Sequence, residues 1–166
     1  MKVDTQAEDA RHSAYVENVA FERKDVLFAS VHVVGSENDL APWTGLPGGD
    51  RPAERLAEYE ARLAADLAWV DSAFDRAAAT GAAGVLLLMQ AEPVAIPGFL
   101  AVRDLILARS AEFGKPVLLV QGDEHVYEAE RAYGGVPNLT RLEIFGDTAS
   151  SWLRLTVDPK APQLFS

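Results

Sequence analysis

Three short apolar runs, VLFASVHVV (26–34), VLLLM (85–89) and VLLVQ (117–121), each stop in glycine or polar residues and are separated by helix-length stretches. Runs of this length, rich in Val and Leu with little alternation, read as strands buried on both faces. Parallel strands need a crossover between them, so the spacing predicts a βαβαβ unit in one mostly parallel sheet.

The segments between the runs fit that frame. GSENDLAPWTGLPGGD (35–50) concentrates turn formers and reads as a long surface loop. Asp50 is the expected N-cap of a helix with Pro52 in its first turn. Leu56, Tyr59, Leu63, Leu67, Val70, Phe74 and Ala77 recur every three or four residues and predict an amphipathic helix packed by one face. Its acids and arginine, Glu54, Glu58, Glu60, Arg62 and Asp66, read as a solvated face with i,i+4 pairing. GAAG (81–84) ends that helix, and a second one is expected over 99–113 with Gly114 just past its end. NLTRLEIF (138–145) and WLRLTV (152–157) alternate apolar and polar residues around GDTASS, which predicts a closing antiparallel β-hairpin. Residues 15–158 then form one α/β domain, between an arm over 1–14 and a tail over 159–166.

Composition narrows the function classes. A chain of 166 residues, 49% hydrophobic and 24% charged, is long enough to bury a core. Its formal charge of −10 repels phosphate backbones and anionic lipid, which argues against nucleic-acid and membrane-surface roles. The stretch Ala77 to Met89 is too short and too interrupted to span a bilayer, and MKVDTQAEDARHSAY lacks the apolar core of a signal peptide, so a cytoplasmic location is expected. No cysteine is present, which leaves His, Asp, Glu and Asn as metal ligands.

In open α/β sheets ligands bind beyond the carboxyl ends of the parallel strands. There the sequence places Asn38 and Asp39 after the first run, Gln90 after the second, and Gln121, Asp123 and His125 after the third. Asp123 and His125 offer a carboxylate and an imidazole suited to Zn²⁺ or Mn²⁺, with Asn38 a weaker candidate; Gln90, Asp39 and Gln121 would rim a substrate. The same residues also read as a turn, with Asp123 capping local N–H groups and His125 solvated. His32, within a strand, reads as a hydrogen-bonded interior or interface residue. No catalytic residue is identified: phosphate-binding glycine loops, a nucleophile elbow and His-Glu-x-x-His are all absent.

GDEHVY (122–127) after a buried strand resembles the last metal motif of the calcineurin-like metallophosphoesterases, Gly-His-x-His. LLLMQAEP resembles the family strand that ends in a ligand histidine before a proline; VLFASVHVVGSEND resembles the strand and loop of a bacterial branch. NLTRLEIFG and WLRLTVDP are similar to its closing strands. Over Glu17 to Asp158 the resemblance implies half of a two-sheet sandwich, a divalent metal (Mn, Zn or Fe) held in part by His125, and a phosphoester substrate. The departures are equally plain. The opening Asp-x-His strand, Gly-Asp-x-x-Asp and Gly-Asn-His do not precede these elements, Gln90 stands where a ligand histidine is expected, and Asp123 replaces the first histidine of the pair. The resemblance therefore implies only the C-terminal half of such an enzyme, to be completed by a complementary chain or a second copy. The alternative is a degenerate, non-catalytic module that binds a protein partner or forms homo-oligomers.

Overall fold

The computed structural model describes residues 2–147, 150–161 and 163–166. Seven strands form one sheet: β1 (Asp4–Thr5), β2 (Val19–Arg23), β3 (Val26–Ser30), β4 (Gly84–Leu88), β5 (Val117–Gln121), β6 (Glu128–Arg131) and β7 (Leu139–Glu143). Their order is β1-β2-β3-β4-β5-β7-β6. The middle four, β3, β4, β5 and β7, are parallel, and antiparallel strands lie at both edges.

The long helix Pro52–Thr80 carries the chain from β3 to β4, and the short helix Pro97–Phe113 carries it from β4 to β5. Proline at the first helical positions opens both, and Gly81 and Gly114 close them in the left-handed conformation. Because both crossovers step in the same direction along the sheet, right-handed connections put both helices on one face. Leu27, Ala29, Val85, Leu87, Val117, Leu119 and Leu139 point to that face and pack with Val70, Phe74, Val102 and Ile106. The two helices are joined by the edge-on Phe74–Phe113 pair and by the pairing of Arg109 with Asp71 and Asp75.

Several expectations are corrected. Asp50 is not a cap: it accepts from the backbone of Trp43 and pairs with Arg55 at 3.0 Å. Leu56 is exposed, whereas Asp66, expected on the solvated face, is fully buried. The closing strands do not form a hairpin with each other. β7 lies parallel to β5, its antiparallel partner β6 precedes it in sequence, and residues 152–156 join no ladder. Alternation specifies which side chains share a face and leaves the strand's direction open, which is why β7 was legible and its partner was not. The GDTASS connection includes Thr148 and Ala149, which lie outside the described residues. Within the segment expected to be an arm, Asp4–Thr5 pairs with β2 and Gln6 is buried.

Among the described residues no helix packs on the opposite face of the sheet. It carries Phe21 stacked on Phe28, Leu86, Leu88, Leu118, Val120 and Leu142. Part of it is covered by the chain after β7, which turns back on itself through the Val157–Phe165 bridge. Leu164 presses against Gly84, where a Cβ would overlap that leucine and lie 2.8 Å from the Pro116 carbonyl. Gly84→Ala is therefore expected to destabilise the fold by about 1 to 3 kcal/mol in urea unfolding; an unchanged midpoint would mean that the terminal segment does not lie there.

Candidate functional site

At the carboxyl ends of β3, β4 and β5 three loops meet and are tied to each other. Gly35 N–H donates to Gln90 Oε1 at 2.8 Å, and Gly122 N–H donates to the Gln90 carbonyl at 3.1 Å. The Glu92 N–H donates to Asp123 Oδ2 at 3.1 Å. Gln90 is thus the knot of the rim, and Asp123 is spent on holding one loop to the next.

The loop after β3 is strained. Ser36, Glu37, Asn38 and Asp39 all take left-handed backbone, with φ of 56°, 60°, 55° and 65°. Each such residue costs about 1 to 2 kcal/mol, and runs of them persist only where the surroundings dictate the conformation. Three contacts do so. Asn38 Oδ1 accepts from Val34 N–H at 3.2 Å, Asn38 Nδ2 donates to Asp66 at 3.3 Å, and the Glu37 carbonyl lies on Gly98, where a Cβ would overlap it. Asn38, expected at the rim, is therefore turned inward and fully buried. Asp39 remains at the surface, on a hollow of about 400 Å³ bordered by Ser36 and Trp43.

Beneath the turn lies a buried polar network that ties the chain's start to its middle. Asn18 Nδ2 donates to Gln6 Oε1 at 2.7 Å and reaches Asp66 at 3.5 Å, its Oδ1 accepts from His32 N–H at 2.6 Å, and Gln6 Nε2 donates to the Ala65 carbonyl at 2.7 Å. Burial pushes the Asp66 carboxyl up from 3.8 to about 7, against the donors Asn38 and Asn18 that favour the charged form. His32 is partly buried, with Nε2 at 2.9 Å from Arg62 and Nδ1 facing Glu17 at 3.2 Å.

His125 is half-exposed, its ring over Gly146, with Nδ1 at 3.8 Å from Asp147. Asp123 and His125 both have positive φ, 106° and 63°. Among the described residues no three His, Asp or Glu side chains converge on a point where a metal ion would sit. Gln121 is fully buried and shares a face with Glu143, its register partner, and its amide finds no hydrogen-bond partner among the described residues. It lies below the rim rather than on it.

One charged centre lies outside the residues expected from the sequence. Arg141 is almost wholly buried and is clasped by Glu92, Glu128, Glu130 at 3.3 Å and Glu143 at 3.6 Å, with its guanidinium 5.4 Å from the centre of the Tyr133 ring. The signal was present as EAER and LTRLE, whose alternate positions set the glutamates and the arginine on one face of neighbouring strands. Burial raises the Glu92 carboxyl above its usual range, with Arg141 opposing the rise. No family model, no curated protein and no solved structure matches this chain.

Two consequences are measurable. Because Asp66 holds its proton in the fold to about pH 7 and releases it near 3.8 when unfolded, its stabilisation is complete below 3.8 and is lost as pH rises to about 7. The stability of the native chain relative to Asp66→Asn should fall across that window by no more than about 4 kcal/mol and level off above it. A pH-independent difference would contradict the burial of the carboxyl. Arg141→Met strands four carboxylates and is expected to cost about 3 to 5 kcal/mol in urea unfolding, with a smaller loss in acid, where the glutamates take up protons.

Proposed function

We propose that this chain is a metallophosphoesterase-like half-sandwich that acts by association, and that it performs no phosphoester hydrolysis alone. The observation that carries the reading is the part of the apolar sheet face that the chain leaves uncovered. Phe21 and Phe28, stacked at 4.9 Å, and Leu88, 46% exposed, lie on the side without helices. An antiparallel or mixed sheet tolerates one wet face only when that face is polar, and this one is not. A second copy laid on it makes a two-sheet sandwich with the helices outermost, the arrangement that the resemblance implies.

The donor set of the single chain does not fit a pair of divalent cations. One oxygen of Asp123 is engaged with the Glu92 backbone, Asn38 with Val34 and Asp66, and Gln90 with Gly35, which leaves His125, near Asp147, and Asp39 at the surface. In-line hydrolysis with two cations about 4 Å apart needs several such ligands converging, so no hydrolytic step is assigned to these residues. No described helix is long and apolar enough to cross a membrane.

Light scattering over a concentration series tests the association. The native chain is expected to form a dimer, and Leu88→Asp, which places a charge on an already exposed position, is expected to shift it to monomer. A native chain that stays monomeric throughout would end the self-association reading. Metal per chain after Mn²⁺ or Zn²⁺ loading and desalting tests the other half: no stoichiometric ion is expected in the native protein or in His125→Ala. One ion per native chain, lost in His125→Ala, would restore the hydrolase reading.

A further inference from the structure

The uncovered face has two unlike halves. Over β2 and at Leu88, the carboxyl end of β4, it is open, whereas over β5, β7 and β6 the chain after β7 borders a cavity of about 440 Å³. Small-molecule sites commonly enclose roughly 300 to 1,000 Å³. Leu118 and Leu142 form the floor of this cavity, Leu155 and Phe165 lie in the roof, and Arg131 and Arg154 supply its charge.

Those two arginines stand apart from most others in the chain. Arg51, Arg55, Arg62, Arg76, Arg109 and Arg141 are each paired with an acid. Arg131 and Arg154 make no ion pair among the described residues, and no Asp or Glu side chain lines the cavity, although the chain carries a formal charge of −10. The glutamates that flank Arg131 along β6 do not neutralise it, because Glu128 and Glu130 project to the other face and engage Arg141. Two unpaired guanidiniums over an apolar slot select one anionic group with an apolar chain attached. A polyanion is a poor match, since its remaining charges would meet an acidic surface.

We propose that this cavity binds an aliphatic chain ending in a single carboxylate, with the chain on Leu118 and Leu142 and the headgroup between Arg131 and Arg154. The site does not depend on the association described above, which uses the other half of the face. Decanoate, below its micelle concentration, is the probe, followed by calorimetry and by methyl NMR of the intact chain. One decanoate per chain is expected, with shifts at Leu118 and Leu142 and none at Leu88. Acetate and decyltrimethylammonium are expected to bind at least roughly tenfold more weakly, as is decanoate to the Arg131→Gln, Arg154→Gln double variant, whose changes are both at exposed positions. Equal binding of the cation, undiminished affinity in the double variant, shifts centred on Leu88, or no binding at millimolar decanoate would each overturn the proposal.

Discussion

Two right-handed crossovers that step the same way along a sheet leave one of its faces without helices, and the character of this molecule follows from that. The residues that alternate inward toward the helices, Leu27, Leu87, Leu119 and their neighbours, make one continuous core. The residues that alternate outward, Phe28, Leu86, Leu118 and Leu142, are apolar as well, so that the four parallel strands have hydrophobic side chains on both sides. A sequence of this kind is built for a sheet covered twice. The chain provides one full cover and, through the segment that ends in Leu164 and Phe165, part of a second.

At the rim the polar residues are used to hold the fold's connections. Gln90 joins the loops after β3 and β5, Asp123 holds the loop after β4, and Asn38 with Asp66 props a turn of four left-handed residues. Each bond satisfies a backbone or buried group that would otherwise cost free energy, and each removes a donor or acceptor from any ligand. The position beyond the strand ends is where α/β sheets bind ligands, yet position alone does not make a site when the side chains there are already engaged.

The parts of the fold legible in the sequence were those with strong periodicity or a glycine stop: the three apolar runs, the long helix and the ends at Gly81 and Gly114. β6 was not legible because Ala129 is the only apolar residue of EAER; its helix-side positions are glutamates paired with Arg141 of the neighbouring strand. Asp66 was misplaced for a different reason. It falls in phase with Tyr59, Leu63, Val70 and Phe74 on the helix, and periodicity alone marks it as inward, but a carboxylate there makes sense only once Asn18 and Asn38 are known to face it. For the candidate site, the convergence of three loops could be inferred from topology, whereas the engagement of Asp123 and Asn38 with backbone groups depended on turn geometry that residue types do not encode.

The same two-residue period that hid β6 also sorts charge between the faces of the sheet. Along β6 and β7, Glu128, Glu130, Arg141 and Glu143 go to the helix side, and Ala129, Arg131, Thr140 and Leu142 go to the other. Acid is thereby concentrated where one buried arginine can hold it, and the cavity side is left with cations and no side-chain carboxylate. A chain whose net charge is strongly negative thus sets Arg131 on the cavity side of β6 and the carboxylates of these strands on the other. Net charge sets what approaches the molecule; alternation along two strands sets what this cavity can hold.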